Sequence, residues 1–237
     1  MTYLQFLFLF IVPPIALLAA TRPWRQVGPR AMRYLPIIAV IAFLYATPWD
    51  NYLVWRGVWE YESDRVIGTI GYVPIEEYVF FLLQPLMTGL WLYHLIGRRV
   101  AAPALPRESR DRLIGTAFYL MIAIVGAVSL RSREGTYLGL ILVWAAPVLA
   151  AQWAYAGNQI IAHRRSVALG ILVPTIYLWV ADAIAIRLEI WGISDKYSYG
   201  LEPFGLPVEE ATFFLVTNIL VVQGLILFIA PPRPTNA

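Results

Sequence analysis

Seven long apolar segments dominate the chain and restrict what it can fold into. Each carries few charged residues over about 20 positions, the length that a helix needs to cross the hydrocarbon core of a bilayer. The segments cover residues 3–20, 34–55, 74–96, 113–130, 136–155, 167–191 and 207–230. This pattern predicts an all-α integral membrane protein with seven transmembrane helices.

The composition agrees with a membrane protein and excludes several chemistries. Of the 237 residues, 59% are hydrophobic and 14% are charged, whereas a soluble domain is about 25% charged. The chain has no cysteine, which rules out disulfides, thiolate nucleophiles, iron–sulfur clusters and cysteine zinc sites. The two histidines, His94 and His163, lie beside basic segment ends, so we expect interfacial side chains there rather than catalysis or a metal site.

The distribution of basic residues predicts the orientation in the cell membrane. Twelve arginines lie in the loops and tail on one side, and six arginine or lysine residues lie on the other. Because positive residues concentrate on the cytoplasmic side, the amino terminus is predicted outside and the carboxyl terminus in the cytoplasm. The net charge of +3 is explained by this bias, so no nucleic-acid partner is expected. The first segment has no basic residue before Arg22, which favours a retained helix over a signal peptide.

An internal repeat divides the chain into two halves. Residues 74–81 read PIEEYVFF and residues 207–214 read PVEEATFF, at an offset of 133. Offsets of 132 or 133 also relate three outlying pairs, Asp50 with Asp182, Trp59 with Trp191, and Pro14 with Pro147. The predicted organisation is 3+1+3, with a first three-helix repeat in 1–97, a linker and connecting helix in 98–133, and a second repeat in 134–237. Because the fourth helix restores polarity, the repeats should be parallel about an axis along the membrane normal.

Six carboxyl groups are the candidate catalytic residues, because ionisable groups in membrane segments are costly and usually functional. They are Asp50, Glu76, Glu77, Asp182, Glu209 and Glu210. All six are predicted at similar depth in the outer part of the bilayer. The helix dipole favours an ionised glutamate in the first turn, whereas burial and neighbouring carboxyl groups favour a protonated one, and the sequence leaves the balance open.

Helical spacing suggests which glutamate of each pair faces inward. Glu77 shares a face with Phe80 and Phe81, and Glu210 shares one with Phe213 and Phe214. We therefore expect Glu77 and Glu210 to point into the bundle, with helix capping as the other interpretation of each pair. Asp182 lies in an apolar sequence, so it should have a partner, either Arg187 or a glutamate.

Aromatic residues near the carboxyl groups are candidates for binding a cationic species. Most of the tryptophans and tyrosines are expected in interfacial belts. Trp59, Trp191, Phe80, Phe81, Phe213 and Phe214 instead repeat beside the acidic residues. The negative face of an aromatic ring stabilises a nearby cation, so these six are the predicted substrate-binding residues.

The doubled P-x-E-E-x-x-F-F motif, each copy preceded by an aspartate-bearing helix and a tryptophan-containing loop, resembles the membrane-embedded lycopene cyclases of archaea, fungi and some bacteria. The resemblance covers nearly the whole chain as two copies of the domain. In some bacteria the halves are separate subunits, and in fungi the pair is fused to phytoene synthase. The chain is similar to the single-polypeptide form that lacks the synthase.

The resemblance implies that lycopene, taken from the lipid bilayer, is isomerised by proton-initiated cyclisation to γ- and then β-carotene. Glu77 and Glu210, with Glu76 and Glu209 as alternates, would donate or accept the proton. Asp50 and Asp182 would keep them protonated or act as the counter-base. The reaction requires no redox equivalents and the chain has no G-x-G-x-x-G motif, so neither a flavin nor any other cofactor is expected.

Other functions remain open at the level of sequence. The substrate could be a C50 carotenoid, and the number of active sites and the oligomeric state are undetermined. A small proton-coupled transporter could also use parallel three-helix repeats and carboxyl relays. A carotenoid-binding protein without catalytic activity is the third alternative.

Overall fold

The computed structural model describes residues 1–97 and 109–230. The first 11 residues of the predicted linker and connecting helix, 98–108, which include Arg98, Arg99 and Arg107, and the tail with Arg233 lie outside these residues. The described part confirms the all-α prediction, with seven helical spans that are long and apolar enough to cross a membrane. They are Tyr3–Ala20, Ala31–Arg56, Ile75–Ile96, Arg110–Ser129, Thr136–Ala162, Arg164–Arg187 and Val208–Ile229.

Within residues 1–97 and 109–230, nine α-helices and four short strands make up these spans and their loops. The helices are α1 (Tyr3–Phe6), α2 (Val12–Ala20), α3 (Trp24–Val27), α4 (Ala31–Arg56), α5 (Ile75–Ile96), α6 (Ser109–Ser129), α7 (Thr136–Ala162), α8 (Arg164–Arg187) and α9 (Val208–Ile229). The strands are β1 (Trp59–Tyr61), β2 (Thr69–Ile70), β3 (Val73–Pro74) and β4 (Trp191–Ile193). A turn of 3₁₀ helix at Pro203–Gly205 precedes α9.

The first span contains a short interruption of its α-helical hydrogen bonding. A π-helical turn, Leu7–Ile11, joins α1 to α2, just before the prolines at 13 and 14. Proline has no N–H to bond the carbonyl four residues earlier, so Pro14 leaves the carbonyl oxygen of Phe10 free. The hydroxyl group of Tyr177 on α8 donates a 2.7 Å hydrogen bond to that oxygen. The interruption therefore ties the first span to α8.

Helices α5 and α9 form the centre of the bundle. Their spans have the largest buried fractions of the seven, and each helix packs against four other spans. Each begins directly after an N-cap proline, Pro74 or Pro207, with φ near −57°. Proline fixes this angle and suits a helix start, where its missing N–H is not needed. The acidic pairs that follow are thus placed in the first turn of the two central helices.

A buried polar cluster fixes α5, α8 and α9 relative to one another halfway along the bundle. The Asn218 carboxamide oxygen accepts hydrogen bonds from Gln84 (2.8 Å) and Thr88 (2.6 Å). Its amide group donates to the hydroxyl oxygen of Thr175 at 3.0 Å. Such interhelical bonds contribute about 0.6 kcal/mol each on average in membrane proteins, so the cluster favours one arrangement of the three helices.

Strands from the loops after α4 and α8 pair with each other. β1 and β4 are antiparallel, with Trp59 opposite Ile193, Glu60 opposite Gly192, and Tyr61 opposite Trp191. Alternation along β1 turns Trp59 and Tyr61 toward the bundle and leaves Glu60 exposed. The pairing brings both loop tryptophans over the starts of α5 and α9.

Some helix boundaries differ from the sequence-based segments. Segment five was expected to end at residue 155, but α7 continues to Ala162 beyond a kink at Ala156, where φ is −157°. Segment six was expected to include Trp191, but α8 ends at Arg187 and Trp191 lies in β4. The hydrophobic pattern alone could not distinguish a helical end from an apolar strand that follows it.

Candidate active site

A small, partly open cavity, the chamber, lies where α5 and α9 begin. Three carboxyl side chains line it, those of Glu77, Glu210 and Asp182. Its walls come from both halves of the chain, namely Tyr3, Phe6, Trp59, Tyr61, Phe80, Leu178, Ala181, Trp191, Phe213 and Phe214. A concave, largely aromatic space with a few converging polar groups is typical of a small-molecule site.

Glu77 is held by two tyrosines that act on the same oxygen atom. The hydroxyl group of Tyr3 donates to Oε2 at 2.5 Å, and that of Tyr61 donates to the same Oε2 at 3.2 Å. Desolvation of its hydroxyl group and the nearby Glu77 carboxylate raise the pKa of Tyr61 well above its ordinary value. Tyr61 therefore remains a neutral hydrogen-bond donor at physiological pH.

Glu210 has the same arrangement with different donors. The hydroxyl group of Tyr137 donates to Oε1 at 2.5 Å, and the indole N–H of Trp59 donates to the same oxygen at 3.1 Å. Trp59 belongs to the loop after α4, so this bond joins the two halves of the chain. In both glutamates, the hydrogen bonds converge on one carboxyl oxygen and leave the other oxygen outside these contacts.

Glu76 and Glu209 face the loops instead of the chamber. Oε1 of Glu76 accepts the backbone N–H of Ile67 at 2.8 Å. Oε1 of Glu209 accepts the backbone N–H of Tyr199 at 2.8 Å, and Oε2 accepts the Ser198 hydroxyl at 3.2 Å. These two carboxyl groups anchor the loops that precede α5 and α9.

The two aspartates are fully buried and differ in their contacts. Oδ1 of Asp182 accepts the indole N–H of Trp191 at 3.0 Å. Arg187, one of the partners expected from the sequence, donates instead to the Phe204 carbonyl oxygen. Neither carboxyl oxygen of Asp50 has a hydrogen-bond partner in the described ranges. Both aspartates interact electrostatically with Glu77 and Glu210, so the four groups form one cluster.

No arginine or lysine neutralises this cluster in the part of the chain that the structure describes. The ion pair found there joins Arg65 to Asp64, neither of which lines the chamber. Four ionised carboxylates in an apolar site without a cation would be strongly unfavourable. The arrangement can therefore retain protons and pass them between carboxyl groups.

The predicted aromatic residues divide between the chamber and a neighbouring cleft. Phe80 and Phe214 meet edge to face with ring centroids 6.2 Å apart, and both line the chamber together with Phe213. Trp59 and Trp191 line it as well. Phe81 lines an apolar cleft beside the chamber, and Phe80 and Phe213 line both spaces.

The sequence analysis missed three tyrosines whose hydroxyl groups donate hydrogen bonds to Glu77 or Glu210. Tyr3, Tyr61 and Tyr137 were included among residues expected in interfacial belts. One signal could have identified two of them: Tyr3 and Tyr137 are 134 positions apart, close to the repeat offset that relates Pro14 to Pro147. Each occupies the first turn of its span and bonds the chamber glutamate of its own half.

Comparison with known proteins identifies relatives that cover the chain. Lycopene beta-cyclase of Halobacterium salinarum is 42% identical over 228 residues, covering 96% of this chain and 95% of the relative. Bifunctional lycopene cyclase/phytoene synthase of Pyrenophora tritici-repentis is 38% identical, covering 92% of this chain and 40% of the relative. The Podospora anserina protein of the same name is 37% identical over 81% of this chain and 34% of its own length.

Models of protein families give no match, and no solved structure matches. The relatives decide the assignment, because the identity to the Halobacterium salinarum protein extends over nearly the full length of both chains. The chain belongs to the lycopene beta-cyclase family.

Proposed function

We propose that this chain is a lycopene beta-cyclase that converts the linear ψ-ends of lycopene into β-rings inside the carboxyl chamber. The observation that supports this most directly is the pair Glu77 and Glu210, each held through one oxygen in an aromatic cavity. The names of the relatives supply the substrate and the product class.

The proposed reaction is an isomerisation in which a proton is added and a proton is removed. A carboxylic acid protonates C2 of the terminal C1=C2 alkene and leaves a tertiary cation at C1. The C5=C6 bond attacks, so that C6 bonds to C1 and the positive charge moves to C5. Loss of the proton on C6 to a carboxylate forms the C5=C6 bond of the β-ring. No electrons are exchanged, so the chemistry requires no redox cofactor.

The hydrogen bonds of the two glutamates suit an acid that transfers its proton into the chamber. In a carboxylic acid, the carbonyl oxygen accepts hydrogen bonds and the other oxygen carries the proton. Tyr3 and Tyr61 occupy Oε2 of Glu77, which leaves Oε1 to carry the proton. In Glu210 the donors occupy Oε1, which leaves Oε2. We assign Glu77 and Glu210 as the proton donors and acceptors on this basis.

The remaining carboxyl groups have supporting roles in this proposal. Asp182 and Asp50 lie within the same electrostatic cluster and serve as proton reservoir or counter-base. Glu76 and Glu209 are less suited as acids, since the loops before α5 and α9 already bind them, and they position the helix starts. The faces of Phe80, Phe213 and Phe214 stabilise the cationic intermediates.

The 3+1+3 repeat with its axis along the membrane normal is the second part of the proposal. Three pairs of equivalent contacts support it: Tyr3 to Glu77 with Tyr137 to Glu210, Tyr45 to Trp144 with Tyr177 to Phe10, and Ile67 to Glu76 with Tyr199 to Glu209. The β1–β4 register also maps onto itself about the Glu60–Gly192 pair. The bias in basic residues favours an external amino terminus and places the chamber in the outer part of the bilayer.

The experiment that tests the function is expression in a lycopene-accumulating bacterium, followed by extraction and chromatography of the pigments. The chain should convert lycopene to β-carotene, and the double variant Glu77→Gln, Glu210→Gln should retain less than about 1% of that activity, given the usual contribution of general acid–base catalysis. Glu60→Gln is the matched control, because Glu60 is exposed in the adjacent loop. Unchanged conversion by the double variant would remove both glutamates from the mechanism.

The isotopic test addresses the mechanism separately. In D₂O each new ring should gain one deuterium from the enzyme's acid, detectable by mass spectrometry of the carotene. Rings formed without deuterium would contradict protonation as the initiating step.

A further inference from the structure

The apolar cleft beside the chamber lies between α4 and α7, with α5 and α9 at its base. Ile41 and Tyr45 on α4 form part of its rim and are exposed on the bundle surface. Phe80 and Phe213 line its inner end and also line the carboxyl chamber. A hydrocarbon that enters the cleft from the bilayer would therefore reach the two phenylalanine rings that also line the carboxyl chamber.

A series of contacting aromatic rings runs from the rim of the cleft toward Glu210. The ring of Tyr45 stacks on that of Trp144 at 5.2 Å, and Trp144 stacks on Trp49 at 4.6 Å. Trp49 in turn stacks on Phe213 at 5.7 Å with an angle of 6° between the planes. Its edge meets Trp59, the tryptophan that donates to Glu210.

The hydroxyl group of Tyr45 connects the two helices at the rim of the cleft. It donates a 2.9 Å hydrogen bond to the carbonyl oxygen of Trp144 and so bridges α4 and α7. The hydroxyl group of Tyr177 makes the equivalent bond to Phe10 on the opposite side of the bundle. A tyrosine hydroxyl thus bridges α4 to α7, and another bridges α8 to the first span.

The α4–α7 side carries a smaller side chain than the equivalent position in the other half of the chain. Ala46 lies on the wall of the α4–α7 cleft. The position equivalent to Ala46 at the repeat offset of 132 is Leu178, which is 1% exposed and fills part of the chamber wall. The small side chain at position 46 leaves room for a ligand on the α4–α7 side.

We propose that the α4–α7 cleft is the lateral entrance of the enzyme and the binding site for the polyene chain of its carotenoid substrate. One ψ-end reaches the chamber while the conjugated chain lies against Trp144 and Phe81, which line the cleft. Because a single end is admitted at a time, the monocyclic product leaves and returns in reverse orientation before the second ring forms. This inference rests on the proposed cyclase function.

A graded series at Ala46 tests the entrance. Ala46→Val, Ala46→Leu and Ala46→Phe should lower the initial rate of lycopene conversion progressively, with Ala46→Phe at least about tenfold slower, as overpacking of a filled apolar site predicts. The matched control is Ala127→Leu, since Ala127 is exposed on α6 and its rate should equal that of the unmodified protein. Protein amount in the membrane and melting temperature in detergent are measured for every variant.

A second variant, at the exposed rim of the cleft, tests the entrance without changing the packing around Ala46. Ile41→Trp adds bulk at an exposed position and should raise KM for lycopene more than it lowers kcat, because it obstructs access without touching the acids. If folded Ala46→Phe and Ile41→Trp proteins convert lycopene at the rate of the unmodified protein, the proposal that the cleft is the entrance is wrong. Failure of the unmodified chain to convert lycopene would instead overturn the cyclase function, so the two failures are distinguishable.

Discussion

The hydroxyl group of Tyr3 lies 2.5 Å from Oε2 of Glu77, although 74 positions separate the two residues in the chain. The contact brings the first turn of the first span onto the first turn of the third. Tyr137 and Glu210 are related in the same way, 73 positions apart. Each chamber glutamate is thus oriented by a phenol from the first helix of its own half.

Removing these phenols should slow cyclisation without unfolding the protein. Tyr3→Phe and Tyr137→Phe should each lower the rate by about 10- to 100-fold, because each phenol would no longer stabilise the carboxylate that forms when the acid gives up its proton. Product formation per milligram of membrane protein measures this. Tyr72→Phe is the control, because the Tyr72 side chain is exposed. Rates equal to the control would mean that the phenols do not orient the acids.

The two loop tryptophans should differ in importance. Trp59 donates to Glu210, whereas Trp191 donates to Asp182. If Glu210 transfers the proton directly and Asp182 supports it, Trp59→Phe should reduce kcat more strongly than Trp191→Phe. Parallel rate measurements at saturating lycopene compare the two, and an equal or reversed order would contradict the assignment of roles.

The polar cluster around Asn218 should matter for stability more than for chemistry. Asn218→Ala removes the acceptor for Gln84 and Thr88 and the donor to Thr175. The expected loss is about 1–3 kcal/mol for unsatisfied buried groups, seen as a lower melting temperature in detergent. Thr212→Val is the matched control, since the Thr212 hydroxyl bonds only within α9, to Val208.

Alkaline pH should reveal the environment of Tyr61. Its pKa is raised in the folded protein, so above pH 10 the unfolded chain loses this proton more readily than the folded one. The stability contributed by Tyr61 is therefore fully present at neutral pH and decreases as the pH rises above 10. Melting curves from pH 8 to 11 should show a smaller alkaline decrease for Tyr61→Phe than for the unmodified protein, and the same decrease for Tyr72→Phe as for the unmodified protein.

The hydrophobic pattern was sufficient to predict the seven spans and the acidic residues at the starts of α5 and α9. Proline followed by two glutamates defines a helix start through local geometry, which sequence reasoning can follow. Helical spacing also indicated that Glu77 and Glu210 share a face with phenylalanines, and both line the chamber. The catalytic roles of these residues stay predictions.

Contacts between distant segments could not be predicted in the same way. The bond from Trp59 to Glu210 depends on the pairing of β1 with β4, which no local periodicity encodes. The expected partners of Asp182 were charged, but the indole N–H of Trp191 occupies that place. The α4–α7 cleft depends on the small size of Ala46 in a packed bundle, which becomes visible only in three dimensions.

The pairing of β1 with β4 makes loop length as important to the site as residue identity. Side chains alternate between the two faces of a strand, so a shift by one residue turns every side chain to the opposite face. Insertion or deletion of a single residue before Trp59 would direct Glu60 into the chamber and Trp59 toward the surface. The two loops can therefore accept substitutions at exposed positions, but not the gain or loss of a single residue before the paired strands.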